Sequence, residues 1–308
     1  SEMHFYLPEL KALCLAENAN GTLHNALPAR GALVRDVKGW ADQLTQALTL
    51  YGDKSDVLFT SHFWPRWGQE SIQDYLGTHR DAYKYLHDQS VRLMNDGLTG
   101  PEIADALRYP DALSSKWYNR EYYGTLSHNS RAVYQRYMGF YDGNPINLNP
   151  LTPEDAAKRY VSALGGDRQV LKTAKAAIAK GDYRWAADLL NRLIFADGKN
   201  QQARETLAQT YEQLAYQAES STWRNGYLVA AKELRQADAA KTRAPAFAGL
   251  LDLPLSMFLD GAAVRLNPER AVGQNLKFVI TDAQSGEHQL VELRNSVLIH
   301  QPVTSPPT

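Results

Sequence analysis

Val57-Leu58-Phe59-Thr60-Ser61-His62-Phe63-Trp64-Pro65-Arg66-Trp67-Gly68 is the stretch on which the reading of this chain turns. Three apolar residues and a threonine, 57–60, make a run of the length and type of a buried strand. The run ends on Ser61-His62, and an aromatic segment interrupted by Pro65 follows. Upstream, residues 53–56 carry turn chemistry. Residues 31–51 place Leu33, Val37, Trp40, Ala41, Leu44, Ala47 and Leu48 at helical spacing. Before them come a short apolar run, 13–16, and a strand-like segment, 4–7. Strand, helix, strand at this spacing is the pattern of a layered α/β sheet.

Downstream, residues 69–235 read as helical almost throughout. Residues 72–95 carry Ile72, Leu76, Tyr83, Leu86 and Leu93 along one side, and Gly97 suits a C-cap. Thr99-Gly100-Pro101-Glu102 opens another helix through Leu107. Residues 109–123 are aromatic and irregular, 129–140 are helical, and Thr152-Pro153-Glu154-Asp155 restarts a helix. Between 170 and 220, small residues fall where two helices approach closely, around a polar break at 197–200. That pattern suits a tetratricopeptide-type pair or two ordinary antiparallel helices, and both give a helical packing domain. Ala244-Pro245 breaks the helical run. Leu276–Thr281 and residues 289–294 then alternate as a hairpin with Gly286 in its turn, and 296–299 makes a third strand.

The 308 residues suit two or three domains, and 44% hydrophobic content suits a buried core. A net charge of −1 excludes an electrostatic footprint for nucleic acid or an anionic membrane surface. No apolar run is long enough to span a bilayer. One cysteine, Cys14, excludes an internal disulfide. The opening, SEMHFYLPEL, has neither a basic nor an apolar leader segment. It reads as entered partway through a domain, and the end, QPVTSPPT after a strand pair, as leaving one unfinished.

His62 stands at the C-terminal end of a strand, where sites gather in open α/β layers, and a neutral imidazole held there suits a metal ion. Glu17 follows the apolar run 13–16. A carboxylate at that place needs a metal or a partner, or serves as a helix cap or in a salt bridge. Arg30 could fork onto two oxygens of a tetrahedral anion, with Asn25 donating a third hydrogen bond and Arg30-Gly31 adding a helix entrance. His4, His79, His87, His288 and His300 read as surface or capped histidines.

Several strings together resemble the class III alkyl sulfatases, hydrolases related to the metallo-β-lactamases. They are Cys14-Leu15-Ala16-Glu17-Asn18, Thr22-Leu23-His24-Asn25, Arg30-Gly31-Ala32, residues 58–68, Tyr85-Leu86-His87-Asp88-Gln89, residues 122–129, Tyr134-Gln135-Arg136-Tyr137 and Tyr216-Gln217-Ala218-Glu219-Ser220. The resemblance implies a multidomain chain. Residues 1–68 would be the end of an α/β (αββα) metallo-β-lactamase catalytic domain. Residues 69–241 would be an all-α dimerisation domain, and 242–308 the start of an α+β domain like sterol carrier protein 2. It implies two zinc ions, with Glu17 bridging them and His62 the last histidine ligand. It implies that Asn25 and Arg30 grip the sulfate of an alkyl sulfate and that His128 protonates the leaving alkoxide. It further implies a homodimer through the helical domain and a periplasmic or secreted location. The family's His-x-His-x-Asp-His motif does not occur in this sequence, and a further glutamate ligand is expected ahead of Ser1, so Glu2 is not assigned. With so few ligands the chain alone is expected to be inactive. Trp64, Trp67, Trp117, Tyr122 and Tyr123 could line an alkyl channel or belong to the core. The competing readings are a helical-repeat interaction module and a related hydrolase of a phosphate or thioester.

Overall fold

The short apolar runs find their partners close to where the sequence places them. A computed structural model describes residues 2–236 and 253–304. β1 (Phe5–Leu7) runs antiparallel to β2 (Ala12–Cys14), β2 parallel to β3 (Val57–Phe59), and β3 antiparallel to β4 (Arg66–Trp67), in that order across one sheet. A parallel pair needs a crossover, and α1 (Val37–Tyr51) supplies it. This helix starts later than its periodicity suggests, because the Asp36 side chain accepts from the Gly39 amide and fixes the first turn. Leu33 therefore falls outside the helix and is 93% exposed.

Long helices follow: α2 (Gln69–Asn95), α3 (Gly100–Ala106), the short α4 (Asp111–Ser114) and α5 (Leu126–Met138). Thr99 and Glu102 close a reciprocal capping box on α3. One hydrophobic cluster joins Leu13, Leu15 and Leu58 of the sheet region to Trp40 and Leu44 of α1, Leu76, Tyr83 and Leu86 of α2, and Leu126 and Val133 of α5. The packing thus carries no break at residue 68, although the composition changes there. α2 covers the sheet as part of the same core, and Ser1–Ala237 forms one compact unit.

The rest of that unit is helical: α6 (Pro153–Ala163), α7 (Asp167–Ala179), α8 (Tyr183–Ala196), α9 (Gln201–Gln217) and α10 (Ser221–Arg235). Val161, Val170, Leu189, Leu190, Leu193 and Leu207 form a second core. Each helix from α7 to α10 packs on the next. Buried Ala186, Ala203 and Ala208 permit the close approach of α8 and α9. This is the arrangement that both readings of residues 170–220 share.

Asp238–Thr308 forms the second unit. Its described part has α11 (Leu255–Ala263) and an antiparallel sheet of β5 (Leu276–Thr281), β6 (His288–Arg294) and β7 (Val297–Pro302), with β6 central. Gly286 takes φ +72° in the turn after β5, where the Asp282 side chain collects Ser285. α11 rests against β7, and His300 on β7 meets Asp260 of α11 at 2.9 Å. The break expected at Ala244-Pro245, the start of the third segment at 242 and the last four residues lie outside the described residues. No helix among the described residues is long and apolar enough to cross a membrane.

Candidate active site

Two tight turns at the ends of β2 and β3 carry the first pair of site residues. Ala16 takes φ +48° just before Glu17, and Phe63 takes φ +67° just after His62. Residues with a Cβ adopt this region only when their surroundings impose it, at a cost of roughly 1–3 kcal/mol each. Here a hydrogen bond joins the turns, from the Ser61 amide to the Ala16 carbonyl at 2.9 Å, extending the β2–β3 pairing marked by Leu15 N to Phe59 O at 3.2 Å. The result faces Glu17 toward His62, whose Nε2 lies 2.8 Å from Glu17 Oε1.

The other carboxylate oxygen meets a residue that the sequence reading did not single out. His24 Nε2 lies 3.3 Å from Glu17 Oε2, and the ring is buried. The loop that carries it is fastened by four hydrogen bonds from three residues. Tyr83 receives the His24 amide at 3.1 Å, and Asn129 of α5 donates to the His24 carbonyl at 2.8 Å. The same Asn129 accepts from the Ala26 amide at 2.8 Å, and the Gly124 amide donates to the Leu23 carbonyl at 2.8 Å. A Cβ on Gly124 would overlap the His24 carbonyl oxygen, so only glycine fits there. Trp40 and Tyr123 flank the imidazole at centroid distances of 5.4 and 5.0 Å.

Arg35 completes the network. Its Nη1 donates to the Asn25 carbonyl at 2.8 Å and to Asn25 Oδ1 at 2.5 Å, and lies 3.2 Å from His24 Nδ1. That Nδ1 is also 3.2 Å from the Asn25 carbonyl. Burial, with the Arg35 charge adding to it, holds the His24 pKa below the ordinary histidine value against the pull of Asn25 and Glu17. A neutral imidazole leaves two tautomers. With the proton on Nε2 it donates to Glu17; with the proton on Nδ1 it donates to Asn25 and turns a lone pair toward the carboxylate. For Glu17, burial pushes the carboxyl upward. The His62 hydrogen bond and the charges of His24 and His62 outweigh it, leaving the group below the usual glutamate value. The Glu17 amide is itself held, donating to Glu2 Oε2 at 2.6 Å.

Glu17, Asn20, Thr22, His24, His62, Phe63, Tyr122, Tyr123 and Ser221 line a cleft of about 470 Å³. A carboxylate with an imidazole on each oxygen is a donor set suited to zinc. Its arrangement is pairwise, with Glu17 standing between the two rings. Among the described residues no group of three or more histidine, cysteine or acidic side chains is placed to hold a metal ion by itself.

The other residues singled out in the sequence go elsewhere. Asn25 is buried, and its side-chain oxygen is taken by Arg35. Arg30 is exposed in the turn closed by Gly31 N to Pro28 O and does not line the cleft. His128 uses both ring nitrogens, donating from Nε2 to the Leu27 carbonyl at 2.7 Å and accepting at Nδ1 from the Trp223 indole at 3.2 Å. It fastens α5 to α10 and to the loop after His24, and it too is absent from the lining. Of the five aromatics, Tyr122 and Tyr123 line the cleft. Trp64 and Trp117 stack on each other at 5.6 Å, and Trp67 is 67% exposed.

Comparison with known proteins relates the chain to the alkyl sulfatases. The model of the alkyl sulfatase dimerisation domain matches residues 99–237, and that of the alkyl sulfatase C-terminal domain matches 247–308. The chain is 48% identical over 302 residues to an (R)-specific secondary-alkylsulfatase of a Pseudomonas species, covering 97% of this chain and 45% of the relative. It is 45% identical over 300 residues to the alkyl/aryl-sulfatase BDS1 of Saccharomyces cerevisiae, covering 97% and 46%. A linear primary-alkylsulfatase of a Pseudomonas species is 41% identical over 304 residues, covering 97% and 45%. The solved structure of the stereoselective inverting sec-alkylsulfatase Pisa1 from Pseudomonas superposes with a TM-score of 0.94 at 45% identity, over 100% of this chain and 49% of that one. The chain spans about half the length of these relatives.

Proposed function

Starting from a chain that carries the dimerisation and C-terminal domains of the alkyl sulfatases, we propose that the full-length protein hydrolyses alkyl sulfate esters to alcohol and sulfate with the help of zinc. The observation that carries this reading is the Glu17 carboxylate paired to His62 and His24 at the head of an aromatic-walled cleft. The αββα metallo-β-lactamase assignment for residues 1–68 is supported by the mixed sheet with α1 as its crossover. The sterol-carrier-like assignment for the C-terminal unit is supported by its helix on an antiparallel sheet. A homodimer through the helical domain and a periplasmic or secreted location belong to the same proposal.

Glu17 and His62 would hold the metal, with His24 beside them. Bound zinc lowers the pKa of a water to near neutral and offsets the negative charge of a sulfate ester. This chain's own residues keep the site in shape. The joined turns at Ala16 and Phe63 aim the carboxylate and the exposed imidazole at one another. The Asn129 and Tyr83 contacts hold the His24 backbone in place, and burial with the Arg35 charge holds its pKa below the ordinary histidine value beside Glu17. Tyr122 and Tyr123 narrow the cleft. Arg30 and His128 do not line this cleft.

A helical interaction module would explain α6 to α10 but gives no reason for a half-buried carboxylate between two imidazoles. The full-length protein is expected to turn over alkyl sulfates, and to lose at least about a hundredfold in rate with a chelator or with His62→Ala. Full activity after complete zinc removal, or in His62→Ala, would refute the proposal.

A further inference from the structure

The missing Cβ of Gly21 organises the apolar side of the cleft. Gly21 is buried and has no left-handed backbone, so conformational freedom is not what it provides. A Cβ built there would come within 3.0 and 3.1 Å of the Phe63 ring and 3.3 Å of Trp117. Both rings therefore close on the bare backbone of residue 21. Phe63 does so from a left-handed conformation, φ +67°, that points its ring to this seat and away from a continued strand. Its other side lines the cleft that holds Glu17, His24 and His62. From there the rings run on without a gap. Phe63 meets Trp64 edge-on at 5.9 Å, and Trp64 stacks on Trp117 at 5.6 Å and 22°. All three remain substantially exposed, at 43%, 65% and 38%. Arg66 backs Trp117 at 5.3 Å from the ring, so the row is braced from beneath.

An exposed row of stacked rings beginning at a polar cluster suits an amphiphile, with its charged head in the cleft and its apolar tail along the rings. We propose that Gly21 and Phe63 are specificity-determining residues. In this reading Gly21 seats the Phe63 ring, and the ring joins the cleft to a Trp64–Trp117 track that selects for long tails. The inference rests on the sulfate ester reading of the site and adds the residues that discriminate among substrates. Gly21 is a positioning residue; Phe63 and Trp64 touch the tail.

The test uses the full-length protein and its Phe63→Ala, Gly21→Ala and Trp64→Ala variants. Each is assayed on linear sulfate esters of four and of twelve carbons, and titrated by calorimetry with alkane sulfonates of the same lengths, which are not hydrolysed. In Phe63→Ala the twelve-to-four ratio of kcat/KM is expected to fall about tenfold, as for the loss of a contact worth about one methylene. The twelve-to-four ratio of sulfonate Kd values should rise by a similar factor. Gly21→Ala should shift each ratio in the direction expected for Phe63→Ala by displacing the ring, and Trp64→Ala should flatten the dependence on tail length. Hydrolysis with both ratios within about twofold of the parent in Phe63→Ala and Gly21→Ala would overturn this inference alone. Absence of sulfate ester hydrolysis in every form, with the sulfonate ratios shifted as expected, would overturn the functional reading and leave the track standing.

Discussion

His79 shows how much a single buried ring can weigh on this protein. It sits on α2, fully enclosed, edge-on to Tyr75 at 4.4 Å, with Tyr118 at 5.4 Å and Tyr83 at 6.4 Å. Its Nε2 has no hydrogen-bond partner. Burial, with the nearby Arg66 guanidinium adding to it, lowers its pKa from 6.5 to about 3. The sign of the consequence follows from proton counts. Between these two values the unfolded chain binds a proton on this side chain and the folded one does not. Stability contributed here is complete above about pH 6.5 and is lost as pH falls toward 3, by at most about 1.4 kcal/mol per pH unit. His79→Phe keeps the aromatic packing and removes the titration. Urea unfolding should therefore show a shallower loss of stability for His79→Phe than for the parent between pH 6.5 and 4. All six tryptophans lie in the first unit, so their fluorescence reports that unit alone. Equal slopes in the two proteins would show that the acid sensitivity arises elsewhere.

At the scale of elements, α10 acts as a clasp on the cleft wall. Its N-cap Ser220 accepts from the Trp223 amide at 3.3 Å and donates to the Tyr123 carbonyl at 2.6 Å. Thr222 donates to the same carbonyl at 2.8 Å, and the Ser221 amide donates to the Tyr122 carbonyl at 2.8 Å. One helix start thus holds two aromatic residues of the cleft. Ser220→Ala removes a cap and one of these bonds, and should cost the first unit about 1–2 kcal/mol in denaturant unfolding. A change below about 0.3 kcal/mol would mean that Thr222 and Ser221 hold the segment alone. The cap itself is legible in the sequence, as a serine before a helix. Its partner is not, because Tyr123 lies 97 residues away. The same distinction runs through the site. Glu17 and His62 could be read because each follows an apolar run that ends a strand. His24 could not, since nothing in Thr22-Leu23-His24-Asn25 shows that α2 and α5 will clamp it beside Glu17. The sequence offers the Arg30 guanidinium as a fork for a tetrahedral anion, with a helix entrance expected beside it. The helix instead begins after Asp36, and it is Arg35 that reaches Asn25. Likewise the change of composition at residue 68 marks a change of secondary structure while the core runs on beneath it.

At the scale of the molecule, the first unit presents apolar side chains that its own two cores do not cover. Tyr137, Met138, Phe140, Ile146, Leu148 and Leu151 are all exposed, with Phe140 at 85% and Ile146 at 71%. They fall in one stretch from the end of α5 to the start of α6, inside the segment that matches the alkyl sulfatase dimerisation domain. Large apolar residues scattered singly need no explanation, whereas six within fifteen positions make this stretch the one to test as a contact surface. A second copy of the chain is the occupant that the domain match favours. If this stretch is buried between copies, an aspartate placed there would have to be desolvated without a partner, costing several kcal/mol per protomer. Phe140→Asp combined with Ile146→Asp should then lower the mass measured by light scattering from two chains to one. It should also remove the rise of unfolding midpoint with protein concentration that a dimer shows by mass action. Neither residue belongs to a core cluster, so the isolated protomer should keep its far-ultraviolet circular dichroism. A double variant that stays dimeric at the dilution where the parent begins to dissociate would place the subunit contact elsewhere on the helical domain.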